Sequence, residues 1–301
     1  MNITERGISF VCEGCWLYGV LSLPHSSAPL AQRGVLLVVG GPQYRVGSHR
    51  QFTLLARELA EQGVPVLRFD YRGMGDSEGE MRDFLNVNED LRAAIDAFGK
   101  EVPAVRDVVL WGLCDAASAA MLYAHQDPRV SGLVLLNPWA RTEESAARAY
   151  LKHYYLSRLT QPALWRKIAR GQFDYGGAMR SFIRLCTNAM RRKTVTTAEN
   201  TQEQEARQSM PDDAPEPSKL SLPERMLTGF SRFHGRSLVI ISGADITGRE
   251  FSDMASAPAW RRLMRGKRVS HYTLPQADHT FSRPDWRDQV AQWTAEWLRR
   301  W

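Results

Sequence analysis

The sequence lacks the features of a secreted or membrane protein. Cysteine accounts for only 4 of its 301 residues, too few for a disulfide framework in a chain of this length. Apolar runs such as residues 35–39 are far shorter than the roughly 20 residues that a membrane helix needs. The first ten residues mix Asn, Thr, Glu and Arg and contain no stretch resembling a signal peptide. We therefore expect a cytoplasmic protein with no transmembrane segment and with reduced thiols.

The sequence also lacks the pattern of a nucleic-acid-binding or cofactor-binding protein. Its formal charge is +6, but the arginines are scattered, with a modest concentration between Arg166 and Lys193 and no basic stripe interleaved with aromatics. Cys12 and Cys15 form a CxxC with no second ligand pair at zinc spacing, so we interpret them as packing residues. The glycines match neither a P-loop nor GxGxxG. We expect no nucleic-acid partner, no metal and no cofactor, and the sequence predicts no particular oligomeric state.

What is present is an alternation of short β-branched runs with amphipathic helical runs, which is typical of parallel βα units. After a hairpin over 8–23, the predicted strands are 34–39, 64–70, 107–111, 132–136, 237–242 and 268–274, and the predicted helices are 49–62, 87–98, 116–125 and 284–299. This order predicts an α/β fold whose central sheet is open and mostly parallel, with helices on both faces.

The regular alternation stops over residues 139–235, where the pattern is helical and contains no strand. Within it, residues 194–219 are rich in Glu, Gln, Thr and Pro, a composition that cannot bury a core and that indicates a flexible loop. We therefore predict a core formed by residues 1–138 and 236–301, interrupted by a helical lid insertion over 139–235.

A candidate nucleophile lies where the strand 107–111 runs into the following helix. A nucleophile elbow needs small residues two positions before and two after the reactive side chain, because the turn crowds them. Gly112 and Ala116 meet this requirement around Cys114, whereas Asp115 has Leu113 two positions before it. A free cysteine is more often a buried apolar residue. Here the context favours Cys114 as the nucleophile, where the helix dipole would stabilise a thiolate.

The candidate base and its orienting acid follow the last two predicted strands. His279 comes after the strand 268–274, and Asp245 comes after the strand 237–242, so both lie at the carboxyl edge of the sheet. The order Cys114, Asp245, His279 is that of nucleophile, acid and base in α/β-hydrolases. Asp253 is a fallback acid, and Asp278 is disfavoured because neighbouring side chains point apart. In this arrangement His279 takes the thiol proton and Asp245 fixes its tautomer.

The first central strand ends in Gly-Gly-Pro, where this fold supplies one oxyanion donor. Pro42 has no N–H, so Gly41 is the better candidate and Gln43 the second. The other predicted donor is the backbone N–H of Asp115, which follows the nucleophile. His49 lies near this loop and could line the pocket together with Gln43, although polarity at a helix start explains it as well.

Three segments carry a resemblance to a known family. They read GGPQYRVGSHRQF over 40–52, PVLRFDYRGMGDSEG over 65–79 and WGLCDAA over 111–117. The chain resembles the α/β-hydrolase superfamily, and more narrowly the type 1 hydrolases associated with the exosortase A system, which occur beside exopolysaccharide and protein-sorting genes. The cysteine at the elbow resembles that of dienelactone hydrolases. The resemblance implies the hydrolase fold and a Cys-Asp-His triad, and it implies no particular substrate.

These features leave three hypotheses about function. The first is a cysteine hydrolase acting on a small-molecule ester or thioester through an acyl-thioester intermediate. The second is an acyltransferase in which an alcohol or amine replaces water. The third is a binding protein that has kept the fold but little catalysis. A complete set of Cys114, Asp245 and His279 argues against the third.

Overall fold

The fold is described by a computed structural model, which covers residues 3–25, 31–41, 43–141 and 220–301. In this part of the chain, eight strands form one sheet in the order β1-β2-β4-β3-β5-β6-β7-β8. They are β1 (Ile3–Cys12), β2 (Cys15–Pro24), β3 (Arg33–Val38), β4 (Val66–Phe69), β5 (Asp107–Leu113), β6 (Val130–Leu136), β7 (Arg236–Ser242) and β8 (Val269–Leu274). β1 and β2 form an antiparallel hairpin at one edge, and β3 to β8 run parallel. The predicted mostly parallel α/β sheet is confirmed.

The central parallel strands consist almost entirely of apolar residues, because both faces of such a sheet are covered. β3, β4 and β5 are buried at nearly every position, as expected for strands that are covered on both faces. β1 instead alternates partly buried with exposed residues, as an edge strand does. The β1–β2 turn uses Glu13 and Gly14, both at positive φ, and leaves Cys12 and Cys15 as free thiols that face each other across the hairpin. No cluster of three or more potential metal ligands occurs among the described residues.

Seven α-helices are described. They are α1 (Gln51–Glu61), α2 (Asn88–Glu101), α3 (Asp115–Tyr123), α4 (Leu222–Arg232), α5 (Ile246–Ala255), α6 (Pro258–Met264) and α7 (Pro284–Arg299). None of these helices is long and apolar enough to cross a bilayer. The bounds of α7 are those predicted from its periodicity, whereas α5 and α6, which connect β7 to β8, were not predicted.

The core was predicted to resume at residue 236, and α4 lies just before that position. The described residues of 3–141 and 220–301 group in one compact unit, so α4 belongs to the unit that contains the sheet. α4 packs closely on α3, because a Cβ on Gly229 would lie 2.6 Å from the carbonyl oxygen of Met121. The rest of the predicted lid, residues 142–219 with the polar stretch 194–219 and Cys186, lies outside the described residues and stays a prediction.

Candidate active site

Cys114 stands at a sharp turn between β5 and α3. Its backbone has φ 62° and ψ −122°, a strained conformation for a residue with a side chain. The turn is tight because a Cβ on Gly112 would lie 2.6 Å from the carbonyl carbon of Ala116, so only glycine fits there. The Cys114 N–H donates to the Leu136 carbonyl over 2.8 Å, which ties the turn to the end of β6. The thiol is partly exposed at the carboxyl edge of the sheet.

His279 and Asp245 meet Cys114 at this edge. The imidazole Nδ1 of His279 lies 2.9 Å from Oδ2 of Asp245, and the same carboxylate oxygen accepts the N–H of Gly248, 2.9 Å away, at the start of α5. The Cys114 thiol also interacts with the imidazole, and this interaction helps to raise the pKa of His279. The Asp245 side chain is 10% exposed and that of His279 34% exposed. The structure thus brings together the three residues that the sequence predicts as a triad.

The electrostatics of this group favour an imidazolium. The hydrogen bond that His279 donates to Asp245 and the interaction with Cys114 outweigh burial and raise the pKa of His279 to about 10. Burial opposes ionisation of Asp245, but the hydrogen bonds from His279 and from the Gly248 N–H lower its pKa. The acid is therefore held ionised beside a ring that holds its proton.

The two alternative acids take other positions. Asp278 accepts the backbone N–H of Ser282 over 3.0 Å and so caps the loop that carries His279. Asp253 is an exposed residue of α5. The carboxylate that contacts His279 is that of Asp245.

The predicted oxyanion donors have an unexpected neighbour. The N–H of Gly41 donates to Oδ2 of Asp115 over 2.7 Å, and the N–H of Ala116 donates to Oδ1 over 2.9 Å. The N–H of Asp115 also interacts with this carboxylate. Burial raises the pKa of Asp115, against the lowering effect of these N–H groups and of His279. Both predicted donor groups therefore adjoin one carboxylate, because a short acidic side chain at the first position of a helix turns back toward backbone N–H groups.

The two predicted pocket residues lie in the loop before α1. The side-chain oxygen of Gln43 accepts the N–H of Ser48 over 3.4 Å. His49 is exposed, has φ 52°, and interacts electrostatically with Asp278, so it lies near the loop of His279. Contact of either residue with a substrate stays a prediction.

Asn137 is a buried polar residue at this edge that the sequence analysis missed. Its Nδ2 donates to the Ser242 hydroxyl over 2.7 Å and to the His279 carbonyl over 3.1 Å, and its Oδ1 accepts the Ser242 N–H over 2.9 Å. One amide thus joins the ends of β6 and β7 to the loop of the imidazole. The signal available in the sequence is a polar residue directly after the apolar strand that ends at Leu136.

The glycine-rich turn after β4, residues 70–77, is built from ion pairs. Asp70 is fully buried and accepts the backbone N–H of Arg45 over 2.6 Å, and the guanidinium of Arg45 pairs with the same carboxylate. Arg72 binds Asp90 over 2.8 Å with both groups buried. These ion pairs make residues 70–77 a structural turn, and the pair of Arg45 with Asp70 also fixes the loop before α1.

Among curated proteins, the chain is similar to two of known name. It is 30% identical over 114 residues to the polyketide transferase grgF of Penicillium sp, which is 36% of this chain and 38% of that protein. It is 31% identical over 94 residues to the quorum-quenching protein AidA of Acinetobacter baumannii strain MDR-ZJ06, which is 30% of this chain and 31% of that protein. The similarity thus spans about a third of the length of these relatives.

Solved structures of the same fold include esterases. The Pyrococcus furiosus esterase Pf2001 superposes with a TM-score of 0.63 at 14% identity, over 99% of this chain and 93% of that one. Est1E of Butyrivibrio proteoclasticus, with bound ferulic acid, gives 0.58 at 16% identity, over 97% and 98%. The esterase domain of a Rhodothermus marinus protein gives 0.58 at 20%, over 99% of both chains. The model of the alpha/beta hydrolase family matches residues 35–293, and this chain therefore belongs to the alpha/beta hydrolase family.

Proposed function

We propose that this chain is a cysteine hydrolase that cleaves a small-molecule ester or thioester through an acyl-thioester intermediate on Cys114. The observation that carries the proposal is the arrangement of His279, whose Nδ1 lies 2.9 Å from Asp245 and whose imidazole interacts with the thiol of Cys114 at the turn after β5. Membership of the family and the fold of the esterases support the reaction class. We further propose a cytoplasmic role linked to exopolysaccharide or exosortase systems, which rests on the sequence resemblance.

The reaction begins with His279 as an imidazolium, in which Nδ1 faces Asp245 and Nε2 holds the proton taken from the Cys114 thiol. The thiolate attacks the acyl carbon, and collapse of the tetrahedral intermediate breaks the bond to the leaving group, which receives the proton from Nε2. Water then attacks the acyl-thioester with His279 as base, and the carboxylic acid leaves as the thiol is restored. The N–H of Asp115 is the nearest candidate donor to the oxyanion.

The test removes the sulfur of Cys114, and a control variant removes the thiol of another cysteine. Cys114→Ala should lower turnover of a 4-nitrophenyl acyl ester by at least about 10³-fold, since a missing nucleophile leaves only binding and electrostatics. The matched control is Cys15→Ala, which removes a partly exposed thiol in the β1–β2 hairpin. Mass spectrometry of the intact protein should find the acyl adduct in the native chain and in Cys15→Ala only. If Cys114→Ala turned over the ester as fast as the native chain does, the proposal would be contradicted.

Acyl transfer is a second candidate, favoured by the similarity to a protein named as a polyketide transferase. An alcohol or amine would then take the place of water in the second half of the reaction. The two candidates differ in their products. With an acyl ester and an excess of alcohol, a transferase should yield mainly the new ester, whereas a hydrolase should yield mainly the free acid.

A further inference from the structure

We propose that Asp115 sets the substrate class of this site, and that it selects acyl groups with an ammonium or hydroxyl group on the carbon next to the reacting carbonyl. The inference rests on the proposed function of Cys114. It starts from the position of the Asp115 carboxylate, which lies on the N–H of Gly41 at 2.7 Å and borders the nucleophile in sequence.

The local backbone is shaped to admit this carboxylate. A Cβ on Gly40 would lie 2.1 Å from Oδ1 of Asp115, so any larger residue at position 40 would displace the side chain. Asp115 also stays partly exposed, although its neighbours Ala116 and Leu113 are buried. Asp115 is therefore not fully enclosed in the core, and solvent reaches part of the residue.

In the described ranges, the hydrogen bonds of Asp115 come from no basic side chain, although the imidazole of His279 attracts its charge. Its hydrogen bonds come from backbone N–H groups, of Gly41 and Ala116 among them. The nearby imidazole of His279 already pairs with Asp245 and with the Cys114 thiol. A carboxylate in this situation attracts a cation or a hydrogen-bond donor and repels an anion.

This position links binding to chemistry. A tetrahedral intermediate needs N–H donors for its oxyanion, but Asp115 holds the N–H of Gly41 and would repel the developing charge. An ammonium or hydroxyl group on the acyl chain can bind the carboxylate and draw it from Gly41. The N–H of Gly41 then becomes available as the acyl carbonyl arrives. A plain alkyl acyl group offers no such exchange, so it should react more slowly.

The experiment compares two acyl groups of the same carbon skeleton, the alanyl and propionyl 4-nitrophenyl esters. For each ester, kcat/KM is divided by the rate of spontaneous hydrolysis, which removes the difference in intrinsic reactivity. We expect the native chain to prefer the alanyl ester. Asp115→Asn keeps the shape and an oxygen acceptor but removes the charge, and it should lower the alanyl-to-propionyl ratio at least fivefold. A smaller change in the ratio, or a native preference for the propionyl ester, overturns the proposal.

A second measurement reports on the charge of the Asp115 carboxylate and does not depend on catalytic turnover. Iodoacetate and iodoacetamide alkylate the same sulfur but differ in charge, so the ratio of their rates at Cys114 reports the local field. The ratio of iodoacetate to iodoacetamide should rise at least twofold in Asp115→Asn and stay unchanged in the control Asp96→Asn, which neutralises an exposed carboxylate on α2. An equal ratio in native chain and Asp115→Asn overturns the proposal. Esterase activity that survives Cys114→Ala would instead overturn the proposed function.

Discussion

Two turns at the carboxyl ends of β4 and β5, the strands that flank β3, treat charge in opposite ways. In the turn after β4, the buried Asp70 is neutralised by Arg45, and Arg72 is neutralised by Asp90. In the turn after β5, Asp115 is held by backbone N–H groups and remains partly exposed beside the thiol of Cys114. Paired charges hold a turn in place, whereas a carboxylate without a basic partner beside a nucleophile is available for chemistry. The glycine content of the two turns does not distinguish them.

The largest expected effect is that of substituting Asp245, the acid that contacts His279 near the turn after β5. Asp245→Asn should lower kcat about 10³- to 10⁴-fold, because an amide stabilises the wrong imidazole tautomer and cannot support the imidazolium. The same change removes the first cause of the raised pKa of His279, so the imidazole should titrate well below about 10. Steady-state kinetics and an NMR titration of the imidazole protons measure the two effects.

The control for this prediction is Asp278→Asn, which alters the adjacent acid that binds Ser282. It should keep kcat within about tenfold and leave the titration of His279 near its native position. The pH dependence of stability gives a further check. Because folding raises the pKa of His279, the stability it contributes is full below pH 6.5, the ordinary value, and is lost as the pH rises toward about 10. In Asp245→Asn, the stability that His279 contributes should be lost at a lower pH than in the native chain. An unchanged pH profile would contradict the contact between Asp245 and His279.

The second largest effect tests the turn after β4. Arg72→Met should cost about 3–5 kcal/mol in the free energy of unfolding, because it leaves the buried carboxylate of Asp90 without its partner. Urea denaturation followed by circular dichroism measures the loss. The double variant Arg72→Met with Asp90→Leu should cost less than the sum of the two single changes. The folded fraction should keep its kcat, and a selective loss of kcat would show that this turn takes part in the chemistry.

The strands and the candidate nucleophile could be predicted because the signals for both are local in sequence. Buried parallel strands are continuous apolar runs, as in β3 and β6, and the small residues around Cys114 identify the elbow. The short helices α5 and α6 have 10 and 7 residues, and so carry too little periodicity to distinguish them from a loop. Helicity was predicted around α4, but the sequence does not show that this helix packs on α3.

Contacts between residues that are far apart in the chain could not be predicted from the sequence. Asn137 and Ser242 are 105 positions apart, and only the parallel pairing of β6 with β7 brings them together. The contact of Asp115 with Gly41 depends on how closely the loop at Gly40 approaches the start of α3, which no motif records. The sequence therefore predicted the residues that we propose to react, but not the residues that contact them from distant parts of the chain.

Asn137 provides a prediction of intermediate size on the side of the turn after β5. Asn137→Asp keeps an acceptor for the Ser242 N–H but loses the donor to the His279 carbonyl, 3.1 Å away. We expect a loss of about 1–3 kcal/mol in the free energy of unfolding, as for a disrupted buried hydrogen bond. If Asn137 positions the imidazole, kcat should fall while KM stays near native, and the titration of His279 should shift. A loss of stability with native kcat would make the residue structural only.

The smallest effect is expected for a solvent-exposed ion pair, which serves as a reference for the buried pairs in the turn after β4. Arg283 and Asp285 lie 3.0 Å apart at the start of α7, with side chains 61% and 57% exposed. Asp285→Asn should cost less than about 1 kcal/mol in the free energy of unfolding, because solvent screens the pair and the lost attraction to the helix N-terminus is small. Urea denaturation in low and in high salt measures it, and the difference from native should shrink in high salt. A cost close to that of Arg72→Met would mean that the strength of these pairs does not follow their burial, and the distinction drawn between the two turns would then lose its energetic basis.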